Sequence, residues 1–442
     1  MYPFSFIYGF LHNIFQVFLL ILEKCSFTYA LDENIISSIF NNILQNIHEN
    51  IPGINITQDI QEKKDVVFTK KLKVALLTNE IPPIVYGGVA TWIVNFIKMF
   101  EKDDDLEIIP IFLAYNDKLP EECFNNYKHL RIINHHNEIK EIFNDIHICI
   151  NNLWIAEDTI QAIKQLFPSL NIITVCHSLI RMENITNLGS CYTNNFNRQE
   201  ITFQNSDLVV LISKAEEKYY NQLGYSNFNK KTKVIYNSYT PHFDNKDSSV
   251  DYCCNNTGYI GRHVPRKRPE LPIMAINGLN KKEVKVFNMG VDFDKYDNKY
   301  WRKLEMEHKN NLVIIPFSAD KMVKEKYWKS IGINCITGIY EPFGYTICES
   351  IDRSMPVIVS NIDGPKEIIE EVKDYVYTYE VDIDNYKNDI INISKAFQKV
   401  WDTPPEIRKF NSTMARKCLD KLRPEVIKLE WRKLIYDIYK SI

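Results

Sequence analysis

Residues 71–100 read KLKVALLTNEIPPIVYGGVATWIVNFIKMF. The first ten form a short apolar run of strand character, closed by Pro82 and Pro83, which cannot continue a hydrogen-bonded ladder. Gly87 and Gly88 then supply a tight turn, and a helix is predicted from about Val89 to Phe100. Strand, glycine turn, helix is the opening unit of a doubly wound α/β domain. Further strand candidates are Leu106–Leu113, Ile146–Ile150, Asn171–Val175, Asp207–Ile212 and Lys233–Tyr236, with helical stretches such as Glu157–Leu166 and Lys214–Gln222 between them. After a polar, aperiodic segment at Thr240–Cys254, which reads as a linker, the alternation restarts. Thr257–Ile260, Val284–Phe287, Leu312–Phe317, Ile333–Ile336 and Pro356–Val359 are the strand candidates of the second set. The expected architecture is α/β: two Rossmann-like halves, each a parallel sheet with helices on both faces, looking into a common cleft.

The chain has 442 residues, enough for two or more domains, and 45% of them are hydrophobic, enough for a sizeable core. Its formal net charge of -3 provides no basic excess for nucleic acid. Ten cysteines are scattered without a C-x-x-C pair, which excludes a zinc ribbon or a thioredoxin-like motif and points to reduced thiols in a cytoplasmic protein. Only 14 residues are glycine, so the glycines that remain mark backbone with special demands.

Residues 1–70 read as a helical extension with no chemistry of their own. Met1–Leu22 carries no charge, and its length just meets the roughly 20 apolar residues that a spanning helix needs, but Pro3, Gly9, His12, Asn13 and Gln16 dilute it. A buried helix, an interfacial anchor and a spanning anchor all fit, so peripheral membrane contact through residues 1–31 is one of the open readings. There is no basic start or small-residue cleavage site for a signal peptide. Next, Ile36, Phe40, Ile43 and Ile47 recur at helical spacing behind Asp32, and PGINITQDIQEKKD then links to the body.

The richest stretch for chemistry is GIYEPFGYTICESIDRSMPVIVSNIDGPKEII, residues 338–369. A helix should open near Gly344–Thr346, and the free backbone N–H groups of such a terminus make an anion site. Glu349, one to two turns further on, can accept hydrogen bonds from a pair of ribose hydroxyls. The stretch resembles the E-P-F-G…E signature of retaining glycosyltransferases of family four, which have the GT-B fold. Gly261-Arg262-His263-Val264-Pro265-Arg266-Lys267 is similar to that family's G-R-x4-K segment, and Glu80 to Val89 to its E-x-P-P…G-G-V loop. Val175-Cys176-His177, Glu200 and Ile235-Tyr236-Asn237 are weaker echoes, and the resemblance spans about 72–442.

The resemblance implies roles. Arg262 and Lys267 would clamp the donor diphosphate, Glu341 would hold sugar hydroxyls, Glu349 the ribose, and His177 would face the sugar. Gly87, Gly88, Phe343, Gly344, Tyr345 and Thr346 would complete the donor site together with Arg262, Lys267 and Glu349. It also implies reaction on one face of the sugar, with no enzyme nucleophile, cofactor or metal, and a nucleotide-diphosphate sugar, UDP- or GDP-linked, as donor. The acceptor would be a glycan, a lipid-linked molecule or a protein. The matching division is an extension at 1–70, an acceptor domain at 71–240, a donor domain at 241–420 and a terminal helix at 421–442 returning to the first domain. The chain departs from the family pattern at Ser354 and Asp363, where glycine is common. The acidic triplets Asp103-Asp104-Asp105, Asp292-Phe-Asp294 and Asp382-Ile-Asp384 are read as turn and surface acids, not metal ligands. Two other readings remain on the same fold, a nucleotide-sugar epimerase and a non-catalytic glycan- or nucleotide-binding module.

Overall fold

The computed structural model describes residues 71–114, 119–153, 156–186, 195–243, 250–291 and 298–440. The N-terminal extension, its expected helices and Asp292-Phe-Asp294 lie outside the described residues.

Leu72–Thr78 forms β1, and Val74 to Leu77 are fully buried, as a strand covered on both faces requires. β2 (Leu106–Leu113), β3 (Arg131–Ile133), β4 (Ile148–Asn151), β5 (Asn171–Cys176), β6 (Leu208–Leu211) and β7 (Lys231–Val234) complete a sheet ordered β3-β2-β1-β4-β5-β6-β7. Every pairing in it is parallel. The second sheet repeats the plan. β8 (Thr257–Ile260), β9 (Val286–Val291), β10 (Leu312–Pro316), β11 (Ile333–Ile336), β12 (Val357–Ser360) and β13 (Tyr377–Tyr379) lie in the order β10-β9-β8-β11-β12-β13, again all parallel. In each sheet the order reverses beside its first strand, between β1 and β4 and between β8 and β11, and the carboxyl ends at such a point are where open α/β sheets take their ligands.

Five helices place the site. α1 (Gly88–Phe100) buries Ala90, Trp92, Ile93, Phe96 and Phe100 along one face. α2 (Lys214–Gln222) is capped by the Ser213 hydroxyl, which accepts from Glu216 N–H. α3 (Tyr345–Asp352) starts from Gly344, whose φ of 110° favours glycine. α4 (Asp363–Ile369) follows β12. α5 (Pro424–Tyr439) lies against α1: the Trp431 ring packs 5.1 Å from Phe96 and 5.9 Å from Trp92. Beside it, Arg432 donates to Asp103 at 2.5 and 2.6 Å and to Asp105 at 2.8 Å, and Lys428 sits 2.9 Å from Asp103. The triplet at Asp103 thus anchors the terminal helix.

The sequence reading missed β3 and β13, each only three residues long and defined by pairing with a longer neighbour rather than by its own pattern. β7 begins at Lys231, not Lys233, because an edge strand tolerates the exposed lysines that a buried one cannot. β9 runs on to Val291 instead of ending at Phe287. Gly290, at φ 120°, permits this: a Cβ there would lie 2.1 Å from the Gly261 carbonyl oxygen. Ser354 and Asp363 both sit at positive φ, 54° and 43°, the conformation a glycine adopts without cost.

Candidate active site

The carboxyl end of β8 delivers Gly261 and Arg262. Gly261 N–H is held by the Met289 carbonyl at 3.0 Å, and the Arg262 carbonyl accepts from Tyr259 OH at 3.2 Å. Buried His263 pairs with Asn288 at 2.5 Å, so the loop is fixed while the Arg262 side chain stays exposed. No described residue is hydrogen-bonded to the Arg262 guanidinium. Its charge nevertheless reaches carboxylates of both halves, Glu80 after β1 and Glu341 after β11.

Arg266, four residues on, is different. It is buried, donates to the Tyr340 carbonyl at 2.9 Å and to Glu183 at 3.1 Å, and stacks over the Tyr340 ring. Lys267 Nζ donates to Glu341 Oε2 in an ion pair only 13–17% exposed. Burial alone would raise the Glu341 carboxyl; Lys267 and Arg266, with Arg262 behind them, more than offset it and hold the group below its ordinary value. Burial in turn pushes the Lys267 ammonium down, against the pull of Glu341.

The Glu341 loop leads into α3. Phe343 is buried and packs edge-on against Tyr345 at 5.0 Å, while Tyr345 and Thr346 open the first turn, whose N–H groups are the free donors of a helix terminus. The Tyr345 ring is also the nearest neighbour of Gly88, 3.9 Å from where a Cβ would stand, so the two halves meet here. At Gly87 that position is empty to 4 Å. Both glycines therefore leave room on the cleft side, although Gly87 itself is extended. Glu349 lies one turn into α3, half-buried. Its carboxylate has no hydrogen-bond partner among the described residues, and burial raises it against the opposing charges of Lys324 and Arg353.

From the first half, β5 ends at Cys176 and presents His177. Its ring bonds to the Asn152 side-chain oxygen through Nε2 and meets Trp92 edge-on at 5.2 Å. Burial lowers this imidazole to about 3, so it is neutral at physiological pH. Glu200, the weakest of the echoes, is paired with Arg181 instead of facing the cleft groups. Asn152, Glu80, Glu183 and Tyr340 are neighbours of the site that motif reading did not single out. Glu80 and Tyr340 stood inside or beside matched segments and so carried a signal; Asn152 and Glu183 are brought to the site only by the fold.

Comparison with known proteins agrees with this fold. Residues 255–399 match the family model described as Glycosyl transferases group 1. No curated protein sequence matches the chain. Among solved structures, the chain is similar to sucrose-phosphate synthase from Thermosynechococcus elongatus, with a TM-score of 0.67, 16% identity, and coverage of 84% of this chain and 100% of that one. It is also similar to HepE of Anabaena in complex with UDP and glucose, with a TM-score of 0.63, 15% identity, and coverage of 83% and 99%. The catalytic domain of starch synthase IV from Arabidopsis thaliana, bound to ADP and acarbose, follows with a TM-score of 0.59, 12% identity, and coverage of 84% and 100%. The fold is GT-B: two Rossmann-like doubly wound sheets facing a cleft.

Proposed function

We propose that the chain is a retaining glycosyltransferase that moves a sugar from a nucleotide-diphosphate donor to an acceptor hydroxyl. The observation that carries this reading is the convergence, at the carboxyl end of the second sheet, of exposed Arg262, the Lys267–Glu341 pair, the α3 terminus behind Gly344, and Glu349, which has no hydrogen-bond partner among the described residues. Sugar transfer leaves charge on the departing diphosphate. Arg262 can take phosphate oxygens bidentately, Lys267 adds a point charge, and the α3 N–H groups complete the anion site, so the reaction needs no metal in this reading. Glu341, already ionised, accepts hydrogen bonds from sugar hydroxyls, and Glu349 accepts them from the ribose. Neutral His177, held by Asn152, lends a hydrogen bond without introducing a competing charge. The leaving phosphate takes the acceptor proton on the same face, which preserves the anomeric configuration.

UDP is the first donor nucleotide to test, because one similar structure holds UDP, and GDP the second; another of the similar structures holds ADP. A glycan, lipid-linked or protein acceptor would enter from the first half, past Gly87 and Gly88. Peripheral membrane contact through residues 1–31 fits a lipid-linked acceptor, and the eight described cysteines, all free, fit a cytoplasmic enzyme. Thermal-shift measurement against UDP-, GDP- and ADP-sugars tests the donor site, since a selective ligand stabilises the native state by mass action. NMR of the product anomer then tests retention. A chain stabilised by none of these sugars would overturn the reading.

A further inference from the structure

Tyr340 directly precedes Glu341, is fully buried, and is given no role by the motifs. Its hydroxyl accepts from Leu179 N–H at 2.9 Å and donates to Glu216 Oε2 at 3.1 Å. Both partners belong to the first half. Leu179 lies two residues beyond His177, and Glu216 is a fully buried carboxyl in the first turn of α2. The same loop is tied a second time: Ser178 Oγ donates to Glu183 at 2.6 Å, and Arg266, bound to the Tyr340 carbonyl, reaches that same carboxylate oxygen. The segment presenting His177 and the segment presenting Glu341 are therefore joined through one residue, by its hydroxyl and by the guanidinium on its carbonyl.

We propose that Tyr340 is a positioning residue for sugar transfer, its hydroxyl setting the His177 loop of the first half against the Glu341 loop of the second. The inference rests on the glycosyltransferase reading above and deepens it. A phenol suits this place because one O–H group accepts and donates at once, and a rigid buried ring transmits the position. Phenylalanine would keep the packing but leave a buried N–H and a buried carboxyl without their shared partner. Reacting groups displaced by even an ångström lose much of the benefit of preorganisation.

The joint also responds to pH. Glu216 is faced by Tyr340 from the β11–α3 loop, Asp363 from α4, Glu183 from the Ile180–Thr186 helix, Cys176 from β5 and Tyr219 on its own helix. Burial, with Asp363 and Glu183 adding to it and Tyr340 opposing, raises its carboxyl to about 8 from an ordinary 4.5. The folded chain thus holds a proton that an unfolded chain releases. The stability this carboxyl contributes is fully present below pH 4.5, falls as pH rises to about 8 and changes no further, while the Tyr340 bond itself favours the ionised form.

The test is Tyr340→Phe in the full chain, with UDP-glucose as the probe. The expected result is a thermal shift and donor KM within about twofold of the unsubstituted chain, because donor groups lie in the second half. The kcat for transfer or donor hydrolysis should fall about tenfold to a hundredfold. Amide exchange at Leu179 in the ligand-free protein should accelerate. Unchanged kcat overturns the inference, and so does unchanged exchange at Leu179. Glu216→Gln keeps an oxygen for the Tyr340 hydroxyl but cannot ionise. It should flatten the decline of unfolding free energy between pH 4.5 and 8, and a decline that persists unaltered overturns the pH dependence. An unsubstituted chain that neither binds nor turns over any nucleotide sugar overturns the parent reading. An active chain that its Tyr340→Phe variant equals in kcat overturns this inference alone.

Discussion

The two sheets present the cleft with the same edge, the carboxyl ends around a point where strand order reverses, yet they furnish it oppositely. The second half brings charge: Arg262 in the open, Lys267 paired with Glu341, and Glu349 without a hydrogen-bond partner among the described residues. The first half brings His177, held uncharged beside Asn152 and Trp92, and a β1–α1 loop with Ile84 and Tyr86 41% and 46% exposed, while its carboxylates Glu80 and Glu183 answer the cations of the second half. Charged groups are costly to assemble and useful where charge develops in a reaction. An uncharged His177 opposite them can orient a second reactant without disturbing that balance. The asymmetry teaches that a repeated fold does not imply a repeated role.

The comparison can be broken most forcefully at the charged edge. Lys267→Ala should lower kcat by about a thousandfold, ~4 kcal/mol in the barrier, while circular dichroism shows the fold intact. Retained activity would remove the functional distinction between the halves. Next is the terminal helix. Trp431→Ala, which empties a fully buried site between α5 and α1, should cost about 3 kcal/mol in urea unfolding. Asp103→Ala should cost about 2 kcal/mol by releasing Arg432 and Lys428. Burial works against the Asp103 carboxyl, but Arg432, Lys428 and the N–H groups of Asp105 and Leu106 hold it at about 2. The stability it contributes is therefore present above its ordinary 3.8 and lost as pH falls from there to about 2, and Asp103→Ala should blunt that acid step. A smaller effect of opposite sign is expected at Ser354→Gly, which relieves a φ of 54° and should add about 1 kcal/mol to unfolding free energy. The smallest effect sharpens the neutral side. His177, at about 3, should contribute no ionisation to the kcat profile between pH 5 and 8, so a limb there that vanishes in His177→Asn would contradict its neutrality.

Much of the fold could be read from local pattern. β2, β8, β11 and the helices Glu157–Leu166 and Lys214–Gln222 fall residue for residue where hydrophobic periodicity places them. β3, β13 and the far end of β9 could not be read this way, because a neighbouring strand or a glycine packed on Gly261 defines them. At the site, the family resemblance of two short motifs singled out Arg262, Lys267, Glu341 and Glu349. They did not say that Lys267 is bound to Glu341, 74 residues away, or that Arg266 is buried while Arg262 is free.

By itself, then, the sequence determined the alternation of strand and helix, the two glycine-marked turns and the order of the charged residues along the chain, because each is a short-range property of neighbouring side chains. Only the tertiary structure decided which cation faces the cleft, which carboxylates lack a partner, and that Tyr340 joins the halves. Those outcomes depend on burial and on hydrogen bonds between segments far apart in the chain, whose free energies arise only once both sheets have packed.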